Sequence, residues 1–360
     1  MSIMARVIIG TAVSEGQAAI RALGPLARAQ IGPSALDWFG HWLAWPDWFF
    51  AGTSIQPGAT AMPPRISVAD DLLMLGNIID HGAATDLLQR IASGHLPSVG
   101  PISMMAQTHS PTLGDFVRFL PRTINCNTPY LTMALAEGPE HCSLVAESPL
   151  LSGSLRSFVG LLAVLVCSRA LTASVTNRMQ SARIETDWPI AHNGMAIAAQ
   201  MPMPITWDSS CNRLTLPATW MAIRNPWHDQ GMWLLAQERL RALEASRGAE
   251  TQVARLRESV AAMLTKDRRT PRLKQVAARH GMSERSLGRL LAAGGTSFQT
   301  IVDDERRSRA AQIINDPALS LTEIAEALGF PDVSSFGRSF RRWFGHTPGQ
   351  FRRRHIATDR

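Results

Sequence analysis

The sequence predicts an α+β domain over residues 1–245, followed by an all-α domain built from a duplicated helix pair joined by a long helix. Three observations carry this prediction. Charge is divided unevenly along the chain: residues 250–360 hold 20 basic and 12 acidic residues, whereas residues 1–249 hold 16 and 17. From Ala249 onward apolar residues recur at helical spacing, while the earlier part mixes helical spacing with strand-like alternation around polar turns. The last third also repeats itself. Leu273, Val276, Ala277, Gly281 and Met282 recur 48 positions later as Leu321, Ile324, Ala325, Gly329 and Phe330, and Leu287, Arg289 and Leu291 recur 49 positions later as Phe336, Arg338 and Phe340. A length of 360 residues accommodates two or three such domains.

In the first domain, "LDWFGHWLAWPDWFF" gathers Trp38, Phe39, Trp42, Trp45, Trp48, Phe49 and Phe50, and the spacing of four of them, at four, three and three or four residues, suits one helical face belonging to a core, a dimer surface or a ligand box. Ser67, with Asp70 three residues on, predicts the start of a helix through "VADDLLMLGNIID". Ser110 or Thr112 starts another through "LGDFVRFLPRT". The alternation on both sides of Glu137, Gly138, Pro139 and Glu140 predicts a β-hairpin. "FVGLLAVLVC", from Phe158 to Cys167, is about half of what a bilayer requires and predicts a buried helix. "MPITWDSSCNRLTLPATWM" predicts strands around a polar turn. Trp233, Leu234, Ala236, Leu240 and Leu243 form an apolar stripe available for pairing two chains or for packing on its own domain.

Residues 246–252, small, polar and containing Gly248, predict a linker to a second domain over 253–354. A helix there places Val253, Leu256, Val260, Met263 and Leu264 on one stripe. Each repeat then reads as a helix-turn-helix: an Ala packed in the first helix, a Gly where the turn needs a left-handed backbone, and apolar anchors in the second helix. A helix from Phe298 to Ile314 joins the two, and Thr347 with Pro348 opens a last one. The second helices span about 283–292 and 332–343. Their exposed positions are Ser283, Glu284, Arg285, Ser286, Gly288 and Arg289 in one, and Val333, Ser334, Ser335, Gly337, Arg338, Arg341 and Arg342 in the other. Such a face of small side chains edged with arginine suits close approach to DNA. Arg285, Ser334 and Ser335 project early enough to meet bases, Arg289 and Arg338 suit either phosphate contact or bracing, and Arg352 and Arg353 suit phosphate. Phe336, Phe340, Trp343, Phe344 and Phe351 are expected in the core.

Residues 251–354, and "IAEALGFPDVSSFGRSFRRWFGHTPGQFRR" above all, resemble the DNA-binding domain of the AraC/XylS family of bacterial transcription regulators. Val333, standing where proline or glutamine is more usual, and Gly288 and Gly337 depart from that pattern, which bears on the base sequence read and not on the fold. "GHLPSVGPISMMAQTHSPTLGDFVRFL" and "ITWDSSCNRLTLP" are similar to the arabinose-binding-type ligand-binding and dimerisation region carried by one branch of that family. The resemblance implies a ligand-responsive activator acting on promoter sites in double-stranded DNA, with a small-molecule effector, RNA polymerase and a second copy of the chain as partners.

Two other classes use the same helix-turn-helix. A repair protein that transfers alkyl groups from DNA to cysteine needs an activated thiolate, but "NCN", "HCS", "VCS" and "SCN" around Cys126, Cys142, Cys167 and Cys211 lack a Pro-Cys-His setting. A coating protein without specificity needs basic surface but no duplicated reading helix. The cysteine spacing suggests no metal site, no cofactor is expected, and the histidines show no ligand spacing. "MSIMARVIIGTAVSEG" lacks signal-peptide features, so the expected location is cytoplasmic and away from membranes.

Overall fold

The computed structural model describes residues 11–33, 35–95, 100–175, 178–267 and 270–358. The start of the chain read for a signal peptide, and residues 96–99 of the stretch compared with ligand-binding regions, lie outside the described residues. The chain divides into two compact units, Met1–Ala245 and Ser246–Arg360.

The first unit opens with α1 (Thr11–Leu23), β1 (Gln30–Ile31) and α2 (Ala35–Leu43). β2 (Ile66–Ser67) pairs antiparallel with β1 and leads into α3 (Val68–Asp80), capped as expected by Ser67, whose hydroxyl accepts the Asp70 N–H at 3.0 Å. Packing of α1 on α3 was not legible in the sequence. The Asp80 carboxylate, at the end of α3, accepts the N–H groups of Ala12 and Val13 at 3.0 Å each and so completes the start of α1. Gly76 permits the close approach, since a Cβ there would lie 2.9 Å from Val13 Cα.

The aromatic run does not form one helical face. Ala44 (φ 59) and Trp45 (φ 52) take left-handed backbone, Pro46 follows, and α2 ends at Leu43. Phe39, Phe49 and Phe50 are buried, Trp45 stacks on Phe50, and Trp38 stays 42% exposed.

α4 (Ala84–Ala92), α5 (Pro101–His109) and α6 (Leu113–Asn127) follow, α6 starting at a capping box between Thr112 and Asp115. The expected hairpin is present as β3 (Thr132–Glu137) and β4 (His141–Glu147). α7 (Gly153–Val175) is 23 residues, longer than the apolar run alone. By length and composition it could cross a bilayer, but most of it is buried, packed against α1, α4, β4 and β7. β5 (Arg183–Glu185), α8 (Gly194–Ala198), β6 (Ile205–Thr206) and β7 (Asn212–Pro217) complete a sheet of order β3-β4-β7-β5-β6. The polar turn at Asp208 joins β6 and β7, which do not pair: β5 lies between them, parallel to β6 and antiparallel to β7.

α9 (Gln230–Asp267) is 38 residues long. Its Trp233, Ala236 and Leu240 are buried in the first unit's core, so most of the stripe offered for pairing packs on its own domain; Leu234 is exposed. Residues 246–252, expected as a linker, are helical. Good helix formers surround Gly248, whose cost in a helix is about 1 kcal/mol, and Arg247 pairs with Glu250 one turn on at 2.5 Å.

The second unit continues with α10 (Leu273–Arg279), α11 (Glu284–Ala293), α12 (Phe298–Ile313), α13 (Leu321–Ala327), α14 (Val333–Phe344) and α15 (Pro348–Thr358). It holds two hydrophobic clusters. Val253, Leu256, Val260, Val276, Leu287 and Leu291 form the first with Ile301 and Val302 of α12. Ile324, Leu328, Phe336 and Phe340 form the second with Ala310 and Ile314, and Trp343, Phe344 and Phe351 pack against it. α12 thus supplies residues to both clusters. Gly281 (φ 65) and Gly329 (φ 71) take the same left-handed turn conformation 48 positions apart, as the repeat requires.

Candidate nucleic-acid interface

The second helix of each helix-turn-helix, α11 or α14, is fixed by a side-chain cap that leaves its outer face open. Ser283 accepts the Ser286 N–H at 3.1 Å at the start of α11. Asp332 accepts the Ser335 N–H at 2.6 Å and the Ser335 hydroxyl at 3.0 Å at the start of α14. Those two bonds, the backbone one first, hold the Asp332 carboxyl below its ordinary value. Ser283, Glu284, Arg285, Ser286, Gly288 and Arg289 are all exposed on α11 or at its cap. On α14, Val333, Ser334, Arg338, Arg341 and Arg342 are exposed, and Ser335 and Gly337 are half-buried. No atom stands within 4 Å of a Cβ built on Gly288 or Gly337, so these positions leave open space.

The two faces differ in how their side chains are held. Arg338 donates to Ser334 Oγ and Ser335 Oγ at 3.0 Å each, and Ser335 Oγ is at the same time committed to Asp332. Ser335 therefore belongs to the cap as much as to the outer face. Arg342 donates to Asp303 on α12 at 2.9 Å. Arg285, Arg289 and Arg341 make no such bond among the described residues.

Two arginines that matter to this arrangement, Arg306 and Arg257, are not among the sequence-derived site residues, and a third, Arg352, takes a place other than the one expected. Arg306, on α12 and 8% exposed, donates to the carbonyls of Leu328 at 2.9 Å and Gly329 at 2.8 Å, and also to Thr270. Its guanidinium lies 4.2 Å from the Phe330 ring centroid. It thus satisfies carbonyls left open where α13 ends and the turn begins. Burial holds its pKa below the usual value, while Asp303 works against that shift. The sequence signal was a charge at four-residue spacing on the apolar stripe Val302, Arg306, Ala310. Arg257 on α9 pairs with Asp304 at 2.9 Å and Glu305 at 3.8 Å. Arg352, assigned to phosphate by the sequence, is half-buried instead and donates Nε to Ile314 O at 2.8 Å, closing the end of α12.

Cys126, Cys142 and Cys167 are buried and Cys211 half-buried. Burial pushes the Cys167 thiol up to about 12, away from the thiolate that nucleophilic chemistry needs. Among the described residues no three His, Cys, Asp or Glu side chains gather as a metal-ion cage does.

Residues 276–354 match the family described as helix-turn-helix domain. The ornithine utilization regulator of Pseudomonas aeruginosa is 30% identical over 226 residues, 62% of this chain and 64% of that one. That stretch is longer than the whole second unit and so extends into the first. It is still less than two thirds of the relative's length. The transcriptional regulator VirS of Mycobacterium tuberculosis is 45% identical over 71 residues, 20% of this chain and 21% of that one. The regulator VqsM of Pseudomonas aeruginosa is 28% identical over 46% of each chain.

Proposed function

We propose that the protein is a sequence-specific, ligand-responsive transcription regulator that binds double-stranded promoter DNA through α11 and α14. The observation carrying this reading is the pair of recognition helices, each capped, each with an open face of small and cationic side chains, and both mounted on α12 within one unit. Arg285 and Ser334 are the foremost candidates for base edges, Arg289 and Arg341 for phosphate, and Arg338 for presenting the two serines. Two such helices suit successive major grooves about 34 Å apart. The regulator names of the relatives support this class over the alkyl-transfer alternative, as does the buried Cys167.

The first unit carries no surplus positive charge and is assigned effector sensing and pairing of two chains. Tethering two DNA-binding units tightens binding on paired sites by about 100-fold or more. Work in the cytoplasm and contact with RNA polymerase as an activator complete the reading. Footprinting of the full chain on genomic fragments tests it. Protection of about 15 to 20 base pairs per chain, following one helical repeat of DNA, is expected. Uniform protection along any DNA, or a single short half-site per chain, overturns it.

A further inference from the structure

Within the first unit lies a pocket of about 130 Å³. Its walls are apolar: Leu36 and Phe39 from α2, Leu75 from α3, Ile124 from α6, and Val159 and Leu162 from α7. One carboxyl group reaches it, that of Asp71 on α3, which is 4% exposed. Tyr130 donates its hydroxyl hydrogen to Asp71 Oδ2, and Oδ1 receives no hydrogen bond from any described residue. The other polar side chains of the lining have committed hydrogens to α6 itself. Thr123 donates to Leu120 O at 2.9 Å, Asn127 Nδ2 to Thr123 O at 3.0 Å and Thr128 to Ile124 O at 2.7 Å. What they retain is mainly lone pairs, so the lining is an apolar wall with a surplus of acceptors and one buried acid.

A carboxylate ligand meets a carboxyl group and more acceptors there; an ammonium group, with three N–H donors and a positive charge, meets its complement. We propose that this pocket is the effector site and that the effector is a small primary amine, its ammonium on Asp71 and its apolar body against α2, α6 and α7. A volume near that of a cavity that takes benzene, about 150 Å³, limits the body to roughly six to ten non-hydrogen atoms. The proposal rests on the ligand-responsive reading above and adds to it a place and a chemical class.

Burial pushes the Asp71 carboxyl up to about 7, the Tyr130 hydrogen bond opposing and the neighbouring Asp70 adding to the rise. Asp70 and Tyr130 are the titratable groups facing it; α2, α6 and α7 bring no charged side chain to the lining. Asp71 must ionise to pair with an ammonium. Below pH 7 amine binding therefore releases a proton, and the fall in affinity steepens toward about ten-fold per pH unit.

Calorimetric titration of the full chain with hexylamine and phenethylamine, with hexanoate and hexanol as controls, tests this. Both amines should bind, more tightly than hexanol and far more tightly than hexanoate, with about five-fold loss from pH 7 to pH 6. Asp71→Asn should remove the preference for amine over hexanol and flatten the pH dependence. Tyr130→Phe, which removes the bond that lowers the Asp71 pKa, should move the midpoint of that dependence upward. Hexanol or hexanoate binding as tightly as hexylamine, or hexylamine binding unchanged in Asp71→Asn, overturns the proposal. A chain that binds its footprinted DNA but neither amine overturns the site and leaves the regulator standing. A chain that binds the amine through Asp71 with no change in its DNA binding keeps the site and overturns its effector role.

Discussion

The first helix-turn-helix is held by aliphatic side chains and offers arginines without a hydrogen bond among the described residues; the second is held by aromatic rings and has two of its three outer arginines, Arg338 and Arg342, engaged. Leu287 and Leu291 stand in one where Phe336 and Phe340 stand in the other. Arg285 and Arg289 make no hydrogen bond among the described residues, whereas Arg338 grips Ser334 and Ser335 and Arg342 grips Asp303. A side chain ordered before binding loses less freedom on binding, and one left mobile adapts to more than one partner. On the proposed reading the second helix-turn-helix is suited to one fixed pattern and the first to variation, a division that four measurements can break or sharpen.

The largest effect is expected in the core. Phe340 packs edge-on against Phe336 and Phe351 and lies 4.5 Å from Phe344 between ring centroids. Phe340→Ala should cost about 4 kcal/mol and Leu291→Ala about 3 kcal/mol in urea denaturation of the full chain. Equal or reversed losses would remove the aromatic unit's claim to be the more rigid. Arg306→Ala comes next, at about 3 kcal/mol, because it leaves buried carbonyls at Leu328 and Gly329 without a donor. Hydrogen exchange should then show lost protection in α13 and α14 while α10 and α11 keep theirs; loss spread evenly over both helix-turn-helices would refute a local brace.

Smaller effects separate the two faces. Arg285→Ala should relax base preference at one or two positions at a cost of about 1 to 3 kcal/mol, read by selection from randomised DNA. Arg338→Ala should blur a longer stretch, since Ser334 loses its tether and Ser335 is left with Asp332 alone; identical profiles from the two variants would erase the distinction between mobile and held arms. The least effect concerns pH. The Asp332 carboxyl lies below its ordinary value because of the Ser335 N–H and hydroxyl, so the stability it adds is present above pH 3.8, its unperturbed value, and is lost as pH falls through the lowered one. The Ser283 cap has no acid to protonate. Acidification should therefore fray the start of α14 before that of α11, as amide exchange by NMR can follow.

Much of the second unit was legible because its signals are local. Capping residues, turn glycines and a repeating apolar stripe name the elements without reference to anything distant. The roles of Arg306 and Arg352 were not, since a carbonyl 22 or 38 residues away in sequence is met only once the helices have packed. In the first unit the hairpin of β3 and β4 was legible for the same local reason, but the insertion of β5 between β6 and β7 depends on which strands meet in space. Periodicity gave Trp233, Ala236 and Leu240 a common face and could not say what covers it. Gly248 suggested a break that its helix-forming neighbours override. Asp71 carried no signal at all: an acid in "VADDLLM" becomes unusual only when Tyr130 and three helices close around it.

Because α12 feeds Val302 to one cluster and Ala310 to the other, it also constrains how the chain's length can change over time. The two positions are eight residues apart, about 12 Å along the helix axis. A single residue inserted between them would turn the second recognition helix by about 100° and advance it by about 1.5 Å relative to the first. The two helices would then face different sides of a duplex, and no substitution on either face could restore them. Seven inserted residues would bring the phase back to within about 20° and lengthen the span by about 10 Å, close to three base pairs. Insertions and deletions in this helix are therefore filtered by whole turns, and any that persist should be matched by operators whose half-sites lie about three base pairs farther apart or closer together.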